Sequence, residues 1–222
     1  MPNQSHPTTQ QLESFDEFFT PLVSDVMDRL GIPSHVLSHE IQCIPFDPSL
    51  KVAGLAYPCR VIPTNEYIEI NKLLEMVDSI PQNAFVIVAA DEDIDAALWG
   101  GLMSTRAKAR GAVAAAVNGG IRDFEQIDML DFPVFGGYRC IKDIRRRGYM
   151  AEYNTTVTIG GVTIRPNDIV FGDANGVVVI PNEHFDAVYA ELIKSIEGER
   201  RTASGLIEGR DARELFSEFE TF

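Results

Sequence analysis

Two short runs that are almost wholly apolar limit the fold more than any other feature of the sequence. The first is NAFVIVAAD at residues 83–91, and the second is AVAAAV at 112–117. A strand with one face in water would alternate between apolar and polar residues, and these runs do not. Short continuous apolar runs are typical of strands that are covered on both faces, as in a parallel sheet. We therefore predict two buried strands at the centre of an α/β fold.

The flanking segments alternate between strand and helix patterns. Further strands are predicted at 52–63 and 132–138. Helical spacing of apolar residues is found at 12–31, at 66–80 and at 93–111, where Gly100-Gly101 interrupts the last pattern. This alternation predicts a three-layered α/β core.

The pattern changes after residue 154. Residues 155–181 contain alternating β-branched residues and the turn signals IGG, RPND and DANG, which predict antiparallel hairpins. Helical periodicity returns from residue 182, and 183–222 is predicted to be a C-terminal helical extension. The polar residues 1–11 are expected to be a disordered tail. No linker-like stretch divides the chain, so 1–222 is read as a single domain.

Composition excludes some classes of function. The net charge of −14 argues against a general nucleic-acid-binding protein, because contact with phosphates requires a basic surface. The sequence has no signal-peptide pattern and no apolar window of membrane-spanning length, so we expect a soluble, cytoplasmic protein that makes no membrane contact. Cys43, Cys59 and Cys140 lack CxxC spacing, and free, buried thiols are the simplest interpretation.

Two glycine-rich turns are the strongest candidates for a ligand site. Gly100-Gly101 opens the predicted helix LMSTRAKAR, and Asn118-Gly119-Gly120 is predicted to end the second buried strand. In a parallel layer both turns would lie near the carboxyl ends of neighbouring strands, where open α/β sheets bind ligands. A helix N-terminus attracts anions, and glycine allows a ligand to approach the backbone closely.

Arg122 and Asp123 follow the second glycine turn directly. A guanidinium group can hold a carboxylate through two hydrogen bonds, and a carboxylate oxygen is a suitable ligand for Mg²⁺ or Mn²⁺. The pair would suit a 2-oxo acid, which carries its carboxylate next to a keto oxygen. The alternative is structural: a surface ion pair, or Asp123 as the N-cap of a helix over FEQIDML. Other candidates are weaker, since Lys108 is predicted to be a solvated charge and the histidines lack metal-ligand spacing.

The motifs WGGLMSTRAKARG, NGGIRD and FPVFGG together resemble a known family. It contains the 4-hydroxy-4-methyl-2-oxoglutarate/4-carboxy-4-hydroxy-2-oxoadipate aldolases and the regulator of ribonuclease E activity A, and many members are labelled demethylmenaquinone methyltransferase-like. The resemblance covers roughly residues 15–215. Its spacing is specific, because the glycine loop begins at Gly100, twenty-two residues before Arg122.

The resemblance implies a three-layered swivelling β/β/α fold with N- and C-terminal helices, assembled as a trimer or a dimer of trimers. It implies that Gly100, Gly101, Leu102 and Met103 bind substrate, that Arg122 holds substrate, and that Asp123 binds the divalent cation, Mg²⁺ or Mn²⁺. The aldolases of the family cleave a 4-hydroxy-2-oxo acid to pyruvate, and many also decarboxylate oxaloacetate. In both reactions a cation at the keto oxygen would stabilise the enolate of pyruvate.

The sequence departs from the aldolases at two positions. Gly101 stands where the aldolases have an acidic residue, which puts aldolase activity in doubt. Asn118 stands where an aspartate is common. After Asp123 the next acidic residues are Glu125 and Asp128, and either one could support the cation's ligand shell.

These observations predict a divalent-metal-dependent lyase that acts on a small 2-oxo acid, by retro-aldol cleavage or β-decarboxylation. The main alternative is a non-catalytic binding protein of the ribonuclease-regulator type, and a third is a scaffold that has lost the chemistry. A methyltransferase is disfavoured, because no GxGxxG motif follows a first strand.

Overall fold

The computed structural model describes residues 7–33, 35–44, 46–91 and 94–219. Its strands are β1 Gln42–Cys43, β2 Lys51–Pro63, β3 Ala84–Ala90, β4 Ala97–Trp99, β5 Ala114–Ile121, β6 Val134–Arg139, β7 Gly148–Tyr153, β8 Val157–Ile159, β9 Val162–Ile164, β10 Ile169–Asp173 and β11 Gly176–Ile180. Its α-helices are α1 Thr9–Glu13, α2 Thr20–Arg29, α3 Asn71–Ser79, α4 Gly101–Arg110, α5 Phe124–Met129, α6 Phe185–Ile207 and α7 Ala212–Phe219.

One large sheet dominates the described residues and curls almost into a barrel. Its order is β1-β6-β5-β3-β2-β10-β11, with β4 paired to β5 and β7 paired to β2. β2, β3, β5 and β6 pair in parallel, whereas β10 and β11 extend the sheet by antiparallel pairing. The segment before β1 approaches the opposite edge, where Val36 bridges Val178. The chain from Val36 to Cys43 therefore connects the two edges of the sheet.

The two central strands are buried on both faces, as the sequence predicts. Every residue of β3 is buried. Phe85 and Ile87 face one core, which they share with Phe135 and the small β8-β9 hairpin. Val86 and Val88 face a second core formed with α3, α4 and α5. The predicted α/β class and its layered arrangement are confirmed, and the runs at 83–91 and 112–117 are apolar because neither face meets water.

A third core joins the two ends of the chain to the antiparallel part of the sheet. Phe15, Phe18 and the buried stripe of α2 pack with Phe171 of β10 and with Phe185 at the start of α6. Phe15 lies 5.1 Å from Phe171 between ring centroids. The predicted N- and C-terminal helices therefore cover the antiparallel strands on the same face of the sheet that α3 and α4 cover over the parallel strands.

Helical structure begins earlier in the chain than the sequence predicts, at Thr9 rather than at residue 12. Residues 1–6 of the expected tail lie outside the described residues. Thr9 begins α1, and Thr8 and Gln11 form a reciprocal capping box there. The predicted helix at 12–31 is divided: a 3-10 turn at Ser14–Glu17 separates α1 from α2, and Pro21 lies in the first turn of α2.

Two predictions around the glycine turns are wrong. Residues 97–99, predicted as helix, form strand β4 beside β5. β5 does not end at Asn118 but continues to Ile121. The side-chain amide of Asn118 helps to hold β5 beside the end of β3. It accepts from Ala90 N at 2.7 Å and donates to Ala90 O at 2.9 Å. An aspartate could not make this paired contact, since a carboxylate only accepts.

Several other elements predicted from the sequence agree with the structure. The strand predicted at 52–63 is β2, and the helix predicted at 66–80 is the shorter α3. β8-β9 and β10-β11 are the predicted antiparallel hairpins. The three cysteines are free and buried. Burial raises the pKa of the Cys43 thiol to about 11. No helix in the described ranges has both the length and the apolarity to cross a bilayer.

The junction between α2 and β10 supplies a stability test. Asp173 is 3% exposed, and its carboxylate accepts from Thr20 N, Thr20 Oγ1 and Asn175 N at 2.7–2.8 Å. Asp173→Ala leaves these donors without their partner, so we expect a loss of about 2–4 kcal/mol in the free energy of unfolding. Urea denaturation measures this. Asp25→Ala, on the exposed face of α2, is the control and should change stability by less than about 0.5 kcal/mol. Equal stability of the two variants would contradict the role of Asp173.

Candidate functional site

The two glycine segments meet because strand β4 pairs alongside the end of strand β5. A Cβ atom on Gly119 would lie 2.6 Å from the Leu98 side chain, and one on Gly120 would lie 2.7 Å from the carbonyl of Ala96. Only glycine permits this approach. Arg122 N then donates to Trp99 O at 3.1 Å, which fixes the residues after β5 beside the residues after β4.

The turn at Gly100 is held in place by two buried side chains, those of Trp99 and Ser104. Trp99 is 1% exposed, and its indole Nε1 donates to Ser104 Oγ at 2.8 Å. Ser104 Oγ donates in turn to Gly100 O at 3.2 Å. Trp99 therefore has a packing role, and Ser104 serves as its hydrogen-bond partner. Together they fix the direction of the first turn of α4.

Asp123 lies at the N-cap position of α5 but does not cap that helix. Its backbone is left-handed, with φ of 63°, and its side chain makes no cap hydrogen bond. Its Oδ2 instead accepts from Gly101 N at 3.1 Å, at the start of α4. A Cβ atom on Gly100 would lie 2.8 Å from this oxygen, so a larger residue there would displace the Asp123 carboxylate. Of the two structural alternatives, the N-cap of α5 is wrong, whereas the ion pair between Arg122 and Asp123 is present.

Arg122 lies between two carboxylates. Its Nε is 3.6 Å from Asp123 Oδ2, and its Nη1 is 3.5 Å from Asp143 Oδ2. Both distances exceed an ordinary hydrogen bond, so the guanidinium keeps donors for a ligand. Arg145 donates two side-chain hydrogen bonds to Asp143. These bonds chiefly, with a smaller contribution from the charge of Arg122, hold the pKa of the Asp143 carboxyl below its usual value.

Asp143 is the residue that the sequence reasoning missed. It comes from the loop between β6 and β7, where RCIKDIRRRG contains no recognisable motif. Sequence reasoning proposed Glu125 or Asp128 as the supporting acid. Neither lines a cavity beside Arg122, and Asp128 instead faces a separate small cavity near Cys43. A contact between residues 122 and 143 depends on the pairing of β5 with β6, so no local signal could reveal it.

Two cavities flank the Arg122–Asp123 pair. The main cavity, of about 400 Å³, is bounded by α3, the start of α4 and Asp143. It includes three of the four predicted loop residues, Gly100, Leu102 and Met103. The fourth, Gly101, reaches the site through its N–H bond to Asp123. A second cavity, of about 390 Å³, lies on the far side and contains Phe124 and Arg139. The guanidinium of Arg139 lies 4.9 Å from the Phe124 ring centroid.

The side chains of the site could hold a divalent cation in one way only, through a single carboxylate with waters and substrate oxygens as the other ligands. Among the described residues, no three His, Cys, Asp or Glu side chains are grouped to hold a metal ion. Mg²⁺ is commonly bound by one or two carboxylates, with waters and substrate oxygens completing its shell. Asp123, whose side chain is 38% exposed, fits that mode.

Lys108 is exposed, and its ammonium group donates to the Leu130 and Asp131 carbonyls.

The position of Gly101 explains the missing acidic residue. A Cβ atom on Gly101 would lie 2.2 Å from Gln126 Oε1 and 2.9 Å from Gln126 Cβ. The side chain of Gln126, on α5, therefore fills the space that a side chain at position 101 would enter. Helices α4 and α5 pack closely here because residue 101 is glycine.

We expect Gly101→Asp to lower the free energy of unfolding by about 1–3 kcal/mol, because the new side chain overlaps Gln126. Adding Gln126→Ala should restore part of that loss, so the two changes should be strongly non-additive. Thermal or urea denaturation of the single and double variants measures the coupling. Leu102→Asp is the control, since Leu102 is 81% exposed. Simple additivity of the two changes would refute the proposed overlap.

Known proteins are similar to this chain in sequence and in fold. A family model described as RraA-like, Aldolase/RraA, matches residues 20–179. Protein DlpA of Legionella pneumophila is 30% identical over 84% of this chain, although the match spans only 30% of that protein. A Halalkalibacterium halodurans protein named "Putative 4-hydroxy-4-methyl-2-oxoglutarate aldolase" is 29% identical over 73% of this chain and 72% of its own length.

A solved structure has the same architecture. It is RraAS2 of Streptomyces coelicolor, described as an unusual member of the RNase ES inhibitor RraA protein family. The likeness has a TM-score of 0.79 at 20% identity and covers 90% of this chain and 98% of that one. At this identity the likeness establishes the fold, with its nearly closed sheet and its terminal helices.

Proposed function

The chain belongs to the RraA-like (Aldolase/RraA) family, and from that premise we propose that it is a divalent-cation-dependent lyase for a small 2-oxo acid. The reaction would be retro-aldol cleavage of a 4-hydroxy-2-oxo acid to pyruvate, β-decarboxylation of oxaloacetate, or both. The observation that carries the proposal is the orientation of Asp123. Its carboxylate turns away from its own helix towards the start of α4, beside a guanidinium that keeps free donor capacity.

Arg122 has the geometry to orient the substrate. Its guanidinium, flanked at 3.5–3.6 Å by Asp143 and Asp123, can turn two N–H groups towards a carboxylate in the main cavity. Hydrogen bonds from Arg145 lower the pKa of Asp143, so this carboxylate keeps its charge beside Arg122 to a lower pH than a free aspartate would. The first-turn N–H groups of α4 add a positive dipole end to the same wall.

Asp123 would hold the cation, Mg²⁺ or Mn²⁺. When bound, such an ion supplies Lewis-acid polarisation of the keto oxygen. Asp123 keeps one oxygen for Gly101 N, and its other oxygen is available to a ligand. Cleavage of the bond between C3 and C4 leaves its electron pair on the pyruvate enolate, and the positive charge of Arg122 favours that product. The second fragment leaves as a carbonyl compound once its 4-hydroxyl group has lost a proton, or as CO2 from oxaloacetate, and C3 of the enolate takes up a proton to give pyruvate. No lysine is needed, which agrees with the backbone-bonded, exposed position of Lys108.

We expect Asp123→Asn to abolish cation-dependent turnover and leave the fold intact. Asparagine tolerates the left-handed backbone at position 123 and can still accept from Gly101 N, so it removes only the charge. The assay measures pyruvate from oxaloacetate with and without Mg²⁺ or Mn²⁺, after subtraction of the spontaneous metal-catalysed rate. Asp128→Asn, on the same helix but outside both cavities, is the control and should retain activity.

Full activity of Asp123→Asn would remove this residue from the cation site. Absence of activity in the unaltered protein, together with absence of 2-oxo acid binding, would favour the alternative of a non-catalytic binding protein. That alternative corresponds to the inhibitor role described for the Streptomyces coelicolor structure.

We also propose that the chain forms a homo-oligomer, a trimer or a dimer of trimers. Exposed apolar side chains lie on both sides of the site. Leu102, in the main cavity, is 81% exposed, and Ile141, beside the second cavity, is 93% exposed. Large apolar side chains grouped at a surface are typical of an interface between subunits. Sedimentation equilibrium should give three or six times the 24.6 kDa chain mass. A monomer mass at micromolar concentration would contradict this assembly.

A further inference from the structure

The main cavity is lined by one polar group of side chains, by the Arg106–Asp78 ion pair and by a larger set of apolar side chains. Arg122, Asp123 and Asp143 form the polar group, here called the polar end. The apolar set, here called the apolar arm, consists of Ile70, Leu73, Leu74, Val77, Leu102 and Ile144. Ligand cavities of this size typically combine an apolar wall with a few convergent polar groups that fix the ligand's orientation.

The charges in the main cavity are almost balanced. Its titratable residues are two arginines, Arg106 and Arg122, and three aspartates, Asp78, Asp123 and Asp143. Arg106 is occupied, because its Nε donates to Asp78 Oδ1 at 2.7 Å. The five groups sum to one negative charge, and one divalent cation would make the total one positive. That balance suits a ligand with one carboxylate.

We infer that the natural substrate is a 4-hydroxy-2-oxo acid with a single carboxylate and an apolar substituent, and that the apolar arm binds the substituent. The inference selects the retro-aldol reaction, because β-decarboxylation needs a second carboxylate. This inference rests on the proposed function, since it assigns the second part of the substrate at the same site. It differs from the dicarboxylic acid in the name of the Halalkalibacterium halodurans relative. Besides Arg122, the described lining of the cavity offers a second carboxylate only Arg106, whose charge the Asp78 carboxylate already offsets.

The walls of the arm allow a substituent to enter without rearrangement. Val77 and Ile144 are buried, whereas Leu74 is 48% exposed and lies at the rim of the arm. Leu102, in the first turn of α4, follows Gly101, whose N–H donates to Asp123 of the polar end. An alkyl chain bonded to the carbon beyond the keto group would therefore continue from the polar end along apolar side chains.

The test is calorimetric binding with saturating Mg²⁺, using pyruvate, 2-oxobutanoate, 2-oxohexanoate and 2-oxoglutarate. Each methylene buried in the arm should tighten binding about fourfold, so 2-oxohexanoate should bind about tenfold or more tightly than 2-oxobutanoate. 2-Oxoglutarate should bind more weakly than 2-oxohexanoate. Leu74→Asp should flatten the dependence on chain length, because it places a charge at the rim of the arm. Met129→Asp, an exposed position outside the cavity, should preserve that dependence.

Three results would overturn the inference. If affinity does not rise with chain length while pyruvate binds, the arm does not bind the substrate, and the proposed function stands. Preference for 2-oxoglutarate, lost in Arg139→Ala, would place a second carboxylate in the cavity beside Phe124. If no 2-oxo acid binds at millimolar concentration, both the inference and the proposed function fail.

Discussion

The site depends on the contact of β4 with the end of β5. Leu98 and the carbonyl of Ala96 occupy the space where side chains at Gly119 and Gly120 would lie. This contact brings Trp99 within hydrogen-bonding distance of Arg122 and places the start of α4 beside Asp123. A larger residue at either glycine would separate the two segments. The glycines therefore allow two strand ends to approach, and the ligand groups follow from that approach.

The backbone at Asp123 shows how this arrangement is maintained. A left-handed conformation at a non-glycine residue carries a cost that the surrounding structure must offset. Here the offset comes from the hydrogen bond to Gly101 N and from the continuation of α5, where Ile127 N donates to Asp123 O. Such strain is found where a side chain must point in a direction that a relaxed turn would not give. This conformation directs the carboxylate towards the main cavity.

Much of the fold could be predicted from sequence, because burial on both faces leaves a clear pattern in β3 and β5. The hairpins after residue 154 were predictable from their turn residues. β4 was not, since three residues next to a helix carry no periodic signal, and its pairing with β5 is a tertiary contact. For the site, Arg122, Asp123 and the glycine loop could be proposed from motifs. Asp143 could not, because only the pairing of β5 with β6 brings its loop to Arg122.

The central claim is that Arg122 and Asp123 form one site for a divalent cation and a 2-oxo acid. Electron paramagnetic resonance of Mn²⁺, with oxalate as a probe for the 2-oxo acid, tests this directly. Oxalate should tighten Mn²⁺ binding to the unaltered protein, and Mn²⁺ should tighten oxalate binding by the same factor. Arg122→Ala should remove the coupling, and Asp123→Asn should remove Mn²⁺ binding itself. Equal Mn²⁺ affinity in the unaltered protein and in Asp123→Asn, with or without oxalate, would contradict the account.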